Sequence, residues 1–395
     1  MLLTPLPEIE ARAARLQARL RAAELDAALL LQAADQYYFS GTVQSAWLIV
    51  PADGAPLLLV RRDLGRARAE SPLARIAGMG QPREVPGLLR AHGLGGLRRV
   101  GLEFDVLPVE QYVRIGRLFP TVQLVDASRL VREVRMVKSA WEVAIMRRGA
   151  ALQDRLAQRL AEILRPGVSD MELAAEVEAE ARRRGHQGPI RMRRFNAECF
   201  YGHLLVGEDG AVPSWIESPS GGPGLSPAFN NGPSGRRVRA HEPVLLDYAA
   251  ALDGYHSDQT RTFSVGALPA EAARAYDACR TIWETLRERL RPGETAAAVY
   301  EAARAQADRL GYADRFMNAG PAQVPFVGHG VGVELDELPV LGRGSDLRLE
   351  PGMTLAIEPK IVCPGLGMVG LEDTLLVTEG GPEVLTVTPR DIWVV

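Results

Sequence analysis

The runs PVLLDY (243–248) and GYHSDQTRTF (254–263) decide how the rest of the chain is read. Both are apolar and β-prone, yet each carries an aspartate, Asp247 and Asp258. Three later runs repeat the pattern: VPFVGHGVG (324–332) holds His329, MTLAIEP (353–359) holds Glu358 and VGLEDTLLV (369–377) holds Glu372. Burying four carboxylates together is costly unless cations hold them. Two divalent ions would set four positive charges against the four negative ones. The pattern therefore predicts a two-metal centre, and a two-metal centre points to a hydrolytic enzyme.

The acids sit inside a duplication. EILRPGVSDMELAAEVEAEARRRGH (162–186) aligns without gaps on ERLRPGETAAAVYEAARAQADRLGY (288–312), an offset of 126. Each copy has Arg-Pro-Gly, then Ser169 or Thr295 as an expected N-cap, then an alanine-rich amphipathic helix ending near Gly185 or Gly311. FYGH (200–203) falls on FVGH (326–329), which makes His203 the counterpart of His329. Each half then supplies a two-strand unit with a pair of acids, Asp247 with Asp258 and Glu358 with Glu372. A pseudo-twofold axis would bring the pairs together. Between the halves, WIESPSGGPGLSPAFNNGPSGRR (215–237) reads as a long loop, and such loops in compact domains often serve function.

Upstream, helical and strand patterns alternate. PEIEARAARLQARLRAAEL is helical, DAALLLQ a buried strand, and AWLIV and APLLLVRR flank a PADG turn. RRVGLEF is a further strand and VEQYVRIGRLF a further helix. The expectation is an α/β (α+β) chain of two domains, 1–133 and 134–395, with a long helix opening the second. A length of 395 residues suits two cores. A net charge of −3 argues against nucleic acid as partner, and three cysteines fit a reducing cytosol rather than a disulfide framework. The first residues lack a signal peptide's basic start and apolar core, and no apolar run approaches the ~18 residues of a membrane span. The expected location is cytoplasmic. Basic residues are almost all arginine; the only lysines are Lys138 and Lys360.

At these positions the chain resembles the pita-bread metallopeptidases: Xaa-Pro aminopeptidases, prolidases and their creatinase-like relatives. The matching residues are Asp247 in LLDY, Asp258 eleven residues later in SDQTRTF, His329 in GHGVG, Glu358 in IEP and Glu372 in LED. The resemblance spans essentially the whole chain. It implies a creatinase-type N-terminal domain and a pseudo-twofold duplicated pita-bread catalytic domain. It also implies two ions bridged by Asp258 and Glu372. Asp247 would complete one shell, and His329 and Glu358 the other. Mostly oxygen donors favour Mn²⁺, Fe²⁺ or Co²⁺, with Zn²⁺ also accommodated. Glu358 would be the proton acceptor, and Thr260 would orient a carboxylate from outside the shell. The family's usual form is a homodimer acting on a short peptide or small molecule.

The chain departs from that family where substrate is held. Asn230 stands at a histidine position seventeen residues before Asp247, and Asp336 at another, seven after His329. Gly370 replaces an arginine two residues before Glu372. Lys360 replaces the glycine after Glu-Pro. Asn230 still donates a hydrogen bond but cannot titrate, and an ionised Asp336 cannot stabilise an oxyanion. Asp336 and Lys360 are therefore expected to reshape substrate choice, with Lys360 supplying charge or balancing Asp336. His203 is a candidate for the pocket. His256 is given no role, and His186 and His241 read as surface positions. The leading expectation is a metallohydrolase of the aminopeptidase P and prolidase type. The alternatives are a non-peptidase enzyme on the same scaffold and a binding protein without catalysis. The first of these would be a creatinase-like or ectoine-type C–N hydrolase, or a lyase, acting on a small metabolite, cationic or neutral.

Overall fold

A computed structural model describes residues 2–395. The chain forms two compact units. One runs through Arg135 and takes in Arg193–Asn196; the other is Met136–Met192 with Ala197–Val395. The first unit thus ends two residues beyond the expected position 133 and recruits a short segment from far along the chain.

That first unit carries a six-stranded mixed sheet in the order Ile76–Gly78, Leu57–Val60, Ala46–Pro51, Ala27–Leu30, Arg99–Leu102, Gln123–Asp126. Its central strands are buried throughout, which is why they read as unbroken apolar runs rather than alternating ones. Ala46–Pro51 and Leu57–Val60 pair antiparallel around the PADG turn. The recruited segment has an electrostatic cause. Arg193 pairs with Asp35 at 2.7 Å and forks onto both oxygens of Asp105, while Arg135 takes the other oxygen of Asp35. Burial would raise the Asp35 carboxyl, but the guanidiniums of Arg135 and Arg193 outweigh it and hold the pKa down to about 2.

The second unit shows the duplication directly. Helices Ala140–Ile163 and Asp170–Arg183 recur 126 residues later as Ala270–Arg289 and Ala296–Arg309. Ser169 and Thr295 cap the second helix of each pair, accepting from the amides of Glu172 and Ala298. Each helix pair packs over its own sheet through one apolar cluster. The first sheet orders Trp393–Val394, Tyr255–Ser264, Val244–Leu252, Gly202–Val206. The second orders Glu337–Gly342, Phe326–Gly330, Thr354–Ile357, Asp373–Thr378, Gly381–Val384. Residues 215–237 form no helix or strand.

His186 corrects its surface reading, because its ring is buried at 2% exposure. It stacks on Tyr201, with centroids 4.6 Å apart. Nδ1 accepts from the Gly188 amide, so Nε2–H donates to the Ala249 carbonyl. Burial lowers its pKa. The unfolded chain therefore takes up this proton before the folded chain does, and stability is lost as pH falls below about 6.5. Over that window we expect wild-type unfolding free energy to drop by up to ~1.4 kcal/mol per pH unit from this group. A His186→Gln variant should show a shallower slope in urea melts between pH 7.5 and 5. Parallel slopes would refute the assignment. His241 is exposed, as expected.

Candidate metal centre

The first sheet presents one face to the site. In the ladder of Val244–Leu252 with Tyr255–Ser264, Asp247 lies opposite Thr260 and Asp258 opposite Ala249. Asp258 is therefore diagonal to Asp247 on the same face. On the other side of Asp247 lies His203. This row exists because the antiparallel register pairs the strands across the Asp253-Gly254 turn without a bulge.

The second sheet supplies the rest. His329 pairs with Ala356 in the Phe326–Gly330 strand. Ile357 pairs with Asp373, which sets Glu358 just past one strand and Glu372 just before the other. The halves are tied at the site itself. The Glu372 amide donates to the Thr260 carbonyl, and the Asp258 amide to Thr374 Oγ1. Ligating atoms of Asp258, His329 and Glu372 all lie within 4.8 Å of one another, and all three residues are buried. His329 Nε2 stands 3.9 Å from Asp258 Oδ2 and 3.9 Å from Glu358 Oε1. Those gaps are too long for hydrogen bonds. They suit two donors on one ion, since bonds of about 2.1 Å place neighbouring ligands roughly 3–4 Å apart.

The histidine is set up as a donor to a cation. Nδ1–H donates to the Gly330 carbonyl at 3.1 Å, which turns Nε2 toward the acids. Asp336 Oδ1 lies 3.6 Å from the same Nδ1, behind the ring. Glu372 Oε2 accepts from Thr260 Oγ1 at 2.7 Å, whereas Oε1 is buried and accepts no hydrogen bond. Asp247 Oδ2 accepts from Ser220 Oγ at 2.6 Å, and His203 Nδ1 lies 3.3 Å from that hydroxyl. Ser220 belongs to the long loop, and the sequence offered no signal for it. Its neighbour Pro219 is held by Asn318, whose side-chain amide donates to the Pro219 carbonyl. Asn230 is half-buried in the same loop, while the adjacent Asn231 is buried beside His203.

Lys360 departs most from expectation. Its ammonium does not balance Asp336. It turns into the cluster, 2.6 Å from Glu358 Oε2, 3.1 Å from Asp247 Oδ2 and 3.4 Å from Glu372 Oε2. Arg261, the local arginine, instead pairs with Asp373 and leaves the cluster to the lysine. The charges respond unevenly. Burial opposes ionisation of Asp247, but Lys360 and His203 overcome it and pull the pKa down to about 2. Burial and the neighbouring Asp247 charge push Asp258 up to about 7, and burial with Asp258 pushes Glu372 well above the ordinary range. Burial opposes charging of the His329 ring, but Asp336, Glu358 and Asp258 raise its pKa. The Asp247 end thus faces a fixed ammonium, and the His329 end only an imidazole.

The comparisons with known proteins agree with this geometry. Residues 144–379 match the model described as metallopeptidase family M24, and residues 12–137 match the creatinase/prolidase N-terminal domain. The chain belongs to metallopeptidase family M24. A probable dipeptidase PepE of Mycobacterium tuberculosis is 30% identical over 88% of this chain and 85% of its own length. The Xaa-Pro dipeptidase of Pyrococcus furiosus is 26% identical over 93% of this chain and 95% of its own. Among solved structures, dipeptidase PepE from Mycobacterium ulcerans superposes with a TM-score of 0.80 at 26% identity, covering 100% of both chains. The prolidase of Pyrococcus horikoshii shares the fold, with a TM-score of 0.81, over 97% of this chain and 99% of its own. This M24 chain is accordingly a metallohydrolase with the creatinase-type N-terminal domain and the pita-bread catalytic fold.

The family implies divalent metal, and the donor set fits an ion at the histidine end. The orphaned Glu372 Oε1, the inward Nε2 of His329 and the under-neutralised Asp258 are what such an ion would satisfy. Among the described residues no helix is long and apolar enough to cross a membrane.

Proposed function

We propose that this M24 chain hydrolyses short peptides or peptide-like amides of the Xaa-Pro type with a divalent ion held by Asp258, His329, Glu358 and Glu372. The supporting observation is the convergence of these buried donors from both halves of the duplicated domain. That ion, when bound, would polarise a carbonyl and ease deprotonation of a water. It is the histidine-end member of the expected two-ion centre.

The chain's own groups divide the remaining work. Glu358 stands beside His329 as the proton acceptor. Thr260 fixes one oxygen of Glu372 and so aims the other inward. The Gly330 carbonyl accepts from His329 Nδ1–H and orients the ring, with the Asp336 carboxylate 3.6 Å behind it. His203 Nδ1–H donates to Ser220, and Ser220 donates to Asp247, so the ring ties the long loop to the acid, with Asn231 beside it. Burial lowers the His203 pKa against the opposing pull of Asp247, which favours the neutral ring. Asn230 and Asp336 stand in for substrate imidazoles, and Asp336, about one-third exposed, favours a cationic group. That carboxylate supports a second reading, a C–N hydrolase of a small cationic metabolite on the same fold. We take the active form to be a cytosolic homodimer.

A panel of Xaa-Pro dipeptides, Xaa-Pro-Yaa peptides and small cationic amides, assayed with Mn²⁺, Co²⁺ or Zn²⁺, separates the readings. Cleavage of the proline peptides is the expected result. No turnover of either peptide class with saturating metal would sink the peptidase reading.

A further inference from the structure

We propose that the Lys360 ammonium occupies the position of the second ion, so that this chain binds one divalent cation, at the His329 end. The inference rests on the metal-centre reading of the cluster but not on its substrate. Three carboxylate oxygens surround Nζ: Glu358 Oε2, Asp247 Oδ2 and Glu372 Oε2. The ammonium donates to Glu358 and Glu372 and forms an ion pair with Asp247. The two glutamates split their oxygens between two subsites. Glu358 gives Oε2 to the lysine and turns Oε1 toward His329. Glu372 gives Oε2 to the lysine and Thr260 and keeps Oε1 without a partner. The cluster therefore has one end already filled by a cation of this chain and one end still short of one.

Asp247, the acid expected to complete the second ion's shell, pairs with the lysine at 3.1 Å. An ion bonded to Asp247 Oδ2 and Glu372 Oε2 at about 2.1 Å would intrude on the ammonium's own space and be repelled by its charge. The lysine has nowhere else to go. It is 1% exposed, in the strand Lys360–Cys363, whose residues are all buried. Its pairing partner across the ladder is Gly370. A Cβ at position 370 would lie 2.6 Å from Lys360 Cγ, well inside contact. Thr262 holds that glycine in place, accepting from its amide and donating to its carbonyl. The two departures from the family pattern at 360 and 370 are thus one structural change: the small residue opposite lets the long cation lie in the site. The charge count agrees. Four acids with one lysine and one divalent ion leave a single negative charge, whereas a second ion would overshoot to a net positive cluster before any hydroxide is counted.

The test is metal stoichiometry without substrate. Purified protein is saturated with Mn²⁺, freed of excess, and measured by elemental mass spectrometry, with electron paramagnetic resonance to separate lone from spin-coupled Mn²⁺. The expected result is one equivalent per wild-type chain with an uncoupled signal, rising to two coupled equivalents in Lys360→Gly. Two equivalents or none in wild type would overturn the proposal, as would a folded Lys360→Gly that still holds one. Should that variant not fold, anomalous scattering from Mn²⁺-soaked wild-type crystals decides the matter. One peak beside His329, with Nζ still on Glu358, is expected; two peaks with the lysine displaced would refute it. Peptide cleavage does not enter these readouts, so a chain that binds one ion but cleaves no Xaa-Pro bond fails only the substrate reading.

Discussion

His329→Ala will empty the metal centre and lower kcat/KM by at least ~10³, the several kcal/mol that a Lewis-acidic ion supplies in the transition state. The imidazole is the only nitrogen donor of the proposed set. Its Nε2 faces Asp258 and Glu358 at 3.9 Å each, gaps that an ion bridges and a hydrogen bond cannot. Without it, three acids already under-compensated would have to hold an ion with no fixed apex. The ring sits at the site rather than in an apolar cluster, so circular dichroism should change little. Elemental analysis and steady-state kinetics on matched preparations provide the check. A variant that keeps its full ion content and turns over within tenfold of wild type would remove His329 from the centre.

Asp373→Ala is expected to cost the catalytic unit about 3–5 kcal/mol, the penalty for leaving a buried guanidinium without its counter-charge. Asp373 is fully buried and accepts from Arg261 Nη2, Thr386 Oγ1 and Arg390 Nε. Arg261 is 1% exposed. It also donates to the backbone carbonyls of Thr260, Glu372 and Thr388. Removing the carboxylate therefore strains the backbone that aims Glu372 and Thr260, and metal affinity should fall together with stability. Asp373→Asn keeps the size and some hydrogen bonds and should lose less. Urea melts would show it, and a midpoint shift worth less than about 1 kcal/mol would mean that the pair contributes little beyond its shape.

The parts of the site that could be read from the sequence are those whose cost is local. An aspartate amid VLLDY or an apolar GYHSD run is expensive wherever the strand lies, so Asp247 and Asp258 announce themselves. The duplication is likewise written in one offset: the second helix of each pair, Ser169 and Thr295 caps included, follows it residue for residue, and the first helices end in step. What escaped depends on partners far along the chain. Lys360 reads as a lone cation after Glu-Pro; its inward course is decided by Gly370 across a ladder and by three carboxylates from two sheets. Ser220 lies in a loop without periodicity, and only the fold brings its hydroxyl to Asp247. His186 follows a helix end and looks solvent-facing until Ala249 and Tyr201 close over it.

Both lysines of this chain lie inside the catalytic unit. Lys138 is buried against Glu337 at 2.9 Å, and Lys360 is buried among the acids. The folded surface therefore carries its positive charge on guanidinium groups and offers no accessible side-chain primary amine. Reagents that acylate amines, and enzymes that acetylate or conjugate them, find no lysine here until the interior opens. Modification at position 360 would in that sense be a chemical clock for the dismantling of the centre it helps to neutralise.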